Sequence, residues 1–374
     1  MLPRRLQGIQ KSLIRQTFDR ALPGSLNLGL GEPDLPTPEV IRRAAIKVIA
    51  EEQNGYTSHA GLPQLRQIIA NEYQYLVGDA NKVIVTAGSQ EALYLALLTL
   101  VDDGDEVLLP DPGFVAYPTI VKMAGGRATF YKLPADSNFS FDLDNFRRAL
   151  TPKTKVVVCI SPSNPTGRAL SKADLEGIAS ALRDHDAYLI SDEIYAELYY
   201  GDQKPFSASS FHDRTIVISG LSKSMSMTGW RLGWMAGDIS VIQAALVLHG
   251  YVTTCASAVS QKAALAAWSD EADEARVAFR RTFKERRDHL LTLIGAELGL
   301  RAITPDGAFY TMVDVSKYGS SLKVAEALLE ERVITVPGSA FGKESEGFLR
   351  VSFCADFEAL SEGVQRIKRA VSKL

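Results

Sequence analysis

Between residues 82 and 236 short apolar runs recur, each closed by a turn of small or polar residues and most followed by a stretch with helical spacing. This alternation constrains the fold more than any other feature of the chain. The runs at 82–86, 106–110, 128–133, 155–160, 188–191, 215–219 and 232–236 read as strands. Helical patterns fall at 91–100, at a segment ending near Met123, at 146–150 and at 172–183. Residues 156–160 contain no polar side chain, which predicts a strand buried on both faces. Strands alternating with helices give a mostly parallel sheet covered by helices on both sides, an α/β fold.

The flanks read differently. A helix is expected over 6–18. The sequence LGLGEPDLPTP at 28–38 is too rich in glycine and proline for one and forms an irregular loop. Thr37 and Pro38 then cap and open a helix, Tyr56 sits in a loop, and another helix begins near Leu62. Beyond residue 240 the pattern turns helical, with a long amphipathic stretch at 271–293 that would bridge two bodies. Strands at 308–313 and 350–353 alternate with helices at 322–331 and 357–371, an α+β arrangement. A length of 374 residues suits one large domain with a smaller partner.

Charge excludes some functions. Lys and Arg total 41 against 44 Asp and Glu, so no basic excess calls for nucleic acid or a membrane surface. The first residues, MLPRRLQGIQKSL, lack the apolar core of a signal peptide, and no apolar run is long enough for a membrane span. Cys159, Cys255 and Cys354 are odd in number and widely spaced, which fits a reducing cytoplasm. The five histidines are isolated, so no metal site is expected.

In an open parallel sheet, ligands bind at the carboxyl ends of the strands. At that edge the chain places a set of complementary groups. Gly88-Ser89-Gln90 opens a helix after a strand and offers an anion cradle. Phe114 offers a flat apolar face, Asn164 an amide, Asp192 a carboxylate and Tyr195 a phenol. Lys223 offers an amine and Arg231 a fixed cation. Each alone is commonplace: Asp192 could cap a helix, Tyr195 could be core, and Lys223 could be an ordinary loop lysine. Together they match pyridoxal 5′-phosphate (PLP): a phosphate, a ring to stack, a ring nitrogen for a carboxylate, an oxygen for Asn and Tyr, and an aldehyde for lysine.

The motifs GEPDLPTP at 31–38, SNPTG at 163–167, SDEIY at 191–195, SKSMSMTGWRLG at 222–233 and FLRVSF at 348–353 resemble those of class I/II aminotransferases, fold type I of the PLP-dependent transferases in the aspartate aminotransferase superfamily. The resemblance spans essentially the whole chain, in order. It implies a large domain with a mostly parallel seven-stranded sheet flanked by helices, plus a smaller α+β domain. The division would be an amino-terminal arm with part of the small domain at 1–39, a PLP-binding domain at 40–283 and a small domain at 284–374. Lys223 would be the Schiff-base lysine and proton carrier, Asp192 the partner of the ring nitrogen, and Tyr195 and Asn164 the donors to the ring oxygen. Phe114 would stack on the ring, with Tyr117 behind it near Asp192. Gly88, Ser89, Gln90, Ser222 and Arg231 would hold the phosphate, joined by Tyr56 from a second subunit, which implies a homodimer with shared sites. Arg350 would clamp the substrate carboxylate, helped by Asn164 and the backbone of Gly31. Gly220 departs from members that carry a phosphate-binding serine three residues before the lysine, which shifts phosphate binding onto Ser222, Arg231 and the helix start.

The implied reaction is ping-pong transfer of an amino group from an L-amino acid to a 2-oxo acid, with 2-oxoglutarate the default acceptor. A PLP-dependent carbon–sulfur β-lyase would share nearly all these residues. An effector-binding domain of a transcription regulator would need a fused DNA-binding module, and only about thirty residues precede the GEPD loop. Phe18, Phe309, Tyr310 and Phe341 are candidates for an apolar substrate pocket or, alternatively, for the core of the small domain. No arginine is marked by sequence as the partner of a second substrate carboxylate.

Overall fold

A computed structural model describes residues 7–51, 54–73 and 78–374 of the chain. A two-residue strand, β1 (Leu26–Asn27), precedes the main sheet. That sheet comprises β2 (Val83–Thr86), β3 (Glu106–Asp111), β4 (Arg127–Lys132), β5 (Thr154–Ile160), β6 (Tyr188–Asp192), β7 (Thr215–Gly220) and β8 (Gly233–Ala236). Its order is β2-β8-β7-β6-β5-β3-β4. The strands from β7 to β4 run parallel, and β8 is antiparallel to both its neighbours.

Alternation along β7 builds two cores. Ile216 and Ile218 pack with Ile190, Val158 and Met235 on one face, while Val217 packs with Val85 and Trp234 on the other. The direction of β8 follows from its connection. A parallel return needs a helical crossover of about a dozen residues, and the segment between β7 and β8 is instead spent on the turns carrying Lys223 and Arg231. The Gly220↔Gly233 pairing delivers that segment to the carboxyl edge of the sheet.

The 24-residue helix Asp270–Leu293 then runs about 36 Å at 1.5 Å per residue. Beyond it lie β9 (Tyr310–Asp314), β10 (Val333–Ile334), β11 (Val336–Pro337) and β12 (Phe348–Ser352). β11-β12-β9 form an antiparallel sheet, and β10 pairs with β1 in parallel, tying the amino-terminal segment to this region. Helices Ser321–Glu330 and Phe357–Val371 cover it.

Two local expectations change. The helix expected over 6–18 is Leu13–Asp19; Gly8 takes a left-handed φ of 75°, and the Ser12 side chain caps the later start by accepting from Arg15 N–H. Leu6 lies outside the described residues. Thr37, expected as a helix cap, instead donates to the Ser226 carbonyl at 2.8 Å and accepts from Trp230 Nε1 at 3.2 Å, binding the GEPD loop to the segment after Lys223.

Candidate active site

The carboxyl ends of the strands open into a cavity of about 280 Å3 whose walls include Gly31, Ser89, Gln90, Phe114, Asn164, Asp192, Tyr195, Ser222, Lys223, Arg231 and Arg350. Eleven of the thirteen residues singled out by sequence therefore line one space. Gly88 lies at its edge, under Arg231, and Tyr56 is 89% exposed and does not line it. Ile14, Thr228 and Tyr310 also line the cavity. Sequence had offered Tyr310 only as a pocket or core residue and gave no signal for Ile14 or Thr228.

Lys223 follows β7 and is half-buried. Its Nζ donates to the Gly31 carbonyl at 2.6 Å. Burial lowers its pKa to about 8; Arg350 and Arg231 push the same way, while Cys354 and Glu32 oppose. Asp192 ends β6. Tyr117 donates to one oxygen at 2.9 Å and Ile194 N–H to the other at 3.3 Å. Burial nevertheless lifts this carboxyl to about 6.

Arg350, on β12, is 2% exposed and reaches across from the second sheet. It donates to Asn164 Oδ1 at 2.8 Å and to the Gly29 carbonyl. The rings of Tyr310 and Phe341 flank its guanidinium at 4.2 and 4.8 Å, and its Nε has no partner among the described residues. The Tyr310 hydroxyl lies 2.9 Å from that of Tyr195. Of the four aromatic residues considered for a substrate pocket, only Tyr310 lines the cavity. Phe309 is wholly buried, Phe341 backs Arg350, and Phe18 lies elsewhere.

The turn after β2 is shaped by close approach. Gly88 has φ 88°, and a Cβ there would stand 2.6 Å from Arg231 Nη2. A Cβ on Gly233 would stand 2.5 Å from the Ser89 nitrogen. Arg231 itself holds φ 53°, a costly conformation for a side-chain-bearing residue, and its guanidinium bonds the carbonyls of Thr228 and Ala87. The result is an arginine and a helix start facing one point, a seat for an anion. Gly220 has a packing reason: a Cβ would meet Leu232 O at 2.8 Å and Gly233 Cα at 2.9 Å, leaving no room for serine.

Two groupings escaped the sequence reading. Asp34, in the GEPD loop, receives both terminal nitrogens of Arg286 at 2.6 and 3.0 Å. Glu91, one position past the cradle, gathers donors from Ala87, His249 and Thr253. Asp34 lies within the GEPDLPTP motif, but nothing in the sequence marks Arg286 as its partner, and the Glu91 cluster leaves no motif.

Comparison with known proteins agrees with this geometry. The family model described as aminotransferase class I and II matches residues 23–367. A probable aspartate aminotransferase of Methanocaldococcus jannaschii is 38% identical, covering 98% of this chain and 99% of that protein. Aromatic-amino-acid aminotransferase 2 of Thermococcus litoralis is 35% identical over 99% of this chain and 98% of its own. The structure of aspartate aminotransferase from Thermus thermophilus with maleate superposes with a TM-score of 0.93 at 36% identity, covering 99% of both chains. Members of this family use pyridoxal phosphate. With the fold, the converging edge and these relatives in agreement, the chain belongs to the class I and II aminotransferases and is an amino-group-transferring enzyme.

Proposed function

We propose that this chain binds PLP and, in two half-reactions, passes the amino group of an L-amino acid to a 2-oxo acid, 2-oxoglutarate in the first instance. The observation that carries the reading is the meeting of Lys223, Asp192 and Arg350 in one cavity beside a glycine turn too tight for any Cβ. The residues present fit the cofactor. Gly88, Ser89 and Gln90, at a helix start, would hold its phosphate with Ser222 and Arg231. Asp192 would face the ring nitrogen, Tyr195 and Asn164 the ring oxygen, and Phe114 the ring face. Tyr56 of a second copy would complete the phosphate site, making the working unit a homodimer.

When bound, the cofactor supplies a conjugated ring that accepts the electron pair left on the substrate carbon. Asp192 would keep the ring nitrogen protonated. A cation beside it favours its ionised form and offsets the burial that lifts its pKa to about 6. Arg350 presents two parallel N–H groups to the substrate carboxylate, and the flanking rings of Tyr310 and Phe341 fix the plane of that fork. Because Arg350 occupies Asn164 Oδ1, the Asn164 amide nitrogen is left to donate into the cavity. Lys223 Nζ would hold the cofactor at its aldehyde. As a neutral amine, Lys223 Nζ is the base that takes up the proton of the substrate's α-carbon and holds it for return. The Gly31 carbonyl orients this amine.

Borohydride reduction of the PLP-loaded enzyme should fix a pyridoxyl group on Lys223, and a panel of amino donors with 2-oxoglutarate should yield the matching oxo acids. An adduct on another lysine would overturn the assignment. Pyruvate and ammonia formed without an acceptor would point to the carbon–sulfur lyase reaction instead.

A further inference from the structure

Beside the turn that carries Gly88 lies a buried polar cluster with no part in the reaction above. Glu91 sits in the first turn of the helix Ser89–Leu100. One carboxylate oxygen accepts from the backbone N–H of Ala87. The other accepts from Thr253 Oγ1 at 2.6 Å and lies 3.0 Å from His249 Nδ1. His249 is fully buried near the end of the helix Ile239–Val252, and its Nε2 has no partner among the described residues. The Ala87 carbonyl in turn accepts from Arg231 at 3.3 Å. Ala87 is thus gripped by Glu91 through its nitrogen and by Arg231 through its oxygen.

A carboxylate this close to the cradle carries a cost. It has the charge of the anion that the helix end attracts, so left bare it would repel that anion. Here its oxygens are occupied by three donors from two different elements. Simple packing would be served as well by an apolar side chain. A carboxylate earns its place by fixing the Ala87 peptide, with His249 and Thr253 holding its other oxygen in place.

We propose that Glu91 and His249 are positioning residues for the phosphate-binding turn: His249 and Thr253 hold the Glu91 carboxylate, which locks Ala87 and, through the Ala87 carbonyl, the Arg231 guanidinium. The inference rests on the reading of this turn as the seat of the cofactor phosphate. It locates a determinant of cofactor affinity on the helix Ile239–Val252, none of whose side chains lines the cavity.

The test compares two ligands of the apoenzyme that differ only in the phosphate, PLP and pyridoxal, by fluorescence titration. His249→Leu removes a bond to a charged group and should weaken PLP about tenfold or more. Pyridoxal affinity should stay within about twofold, because no phosphate reports on the turn. His249→Asn, whose amide can replace the Nδ1 donor, should recover PLP affinity to within about threefold of wild type. Thr253→Val tests the same clamp with less disturbance of the core and should weaken PLP selectively too. Equal weakening of both ligands, or no rescue by asparagine, would overturn the proposal. A wild-type apoenzyme that binds pyridoxal as tightly as PLP would overturn the phosphate seat itself, and is distinguishable because no variant is needed to see it.

Discussion

Lys223 Nζ donates to the Gly31 carbonyl at 2.6 Å, so the ammonium is held by a neutral loop peptide and not by a carboxylate. A carbonyl orients the charge without neutralising it. Burial is then free to lower the pKa to about 8, with Arg350 and Arg231 adding to the effect. Only the neutral amine attacks an aldehyde. Capture of PLP by the apoenzyme should therefore quicken about tenfold per pH unit below pH 8 and level off above it. Stopped-flow absorbance between pH 6 and pH 10 measures this, and a profile still rising at pH 10 would mean an ordinary lysine.

Glu193 makes a prediction about stability. It follows Asp192 and is buried; Ser191, Ser207 and the Ala208 N–H donate to one of its oxygens at 2.9, 2.8 and 3.2 Å. Burial outweighs these donors and lifts the carboxyl to about 7. A folded pKa above the unfolded one means that the folded state binds the extra proton. Stability from this group is thus full below the unfolded value and is lost as pH rises toward 7. The shift corresponds to a few kcal/mol, on the order of 3, lost by pH 8. Glu193→Gln keeps the acceptor oxygen and cannot ionise. Urea unfolding of the apoenzyme should find the variant close to wild type at pH 5 and more stable at pH 8; the reverse ordering would show that the carboxylate is well paired when charged.

How much was legible depended on whether a residue's role is set by its own strand. Asn164, Asp192 and Lys223 follow or end apolar runs, and parallel topology alone sends such ends to one edge. The direction of β8 was not legible, because a four-residue apolar run reads the same either way. The partners of Arg350 were not legible either: Asn164 lies 186 positions away, and nothing local marks the two rings that flank the guanidinium. Arg286 is one of several arginines on an amphipathic helix, and only the docking of a loop 252 positions away distinguishes it. The short first helix depended on the backbone choice of Gly8.

Gly31 is required by a contact. A Cβ there would stand 1.9 Å from the Tyr310 hydroxyl, which itself meets Tyr195 at 2.9 Å. Gly31→Ala should push the Tyr310 ring off Arg350 or lift the loop from Lys223. Either shift disturbs carboxylate binding at a site where a displacement of about 1 Å can cost 100-fold. The expected result is a fall of that order in kcat/KM with little change in PLP affinity. Tyr310→Phe in the same background removes the clashing oxygen and should restore part of the loss; no restoration would place the defect elsewhere.

The Asp34–Arg286 pair joins the GEPD loop to the long helix, with both terminal nitrogens engaged and a further bond from Arg286 to the Cys354 carbonyl. Glu32 in the same loop accepts from Thr228, so the loop is tied at two points on either side of Pro33. Arg286 is nearly buried and Asp34 more exposed, which makes the arginine the costlier group to strand. Arg286→Ala should therefore destabilise more than Asp34→Ala. A double-mutant cycle on unfolding free energy should give a coupling of roughly 1–3 kcal/mol. If the pair also holds Gly31 against Lys223, both variants should raise KM for the amino donor while leaving the pyridoxyl adduct on Lys223. A coupling near zero would show that the loop is held by its backbone, Glu32 and Thr37 without help from this pair.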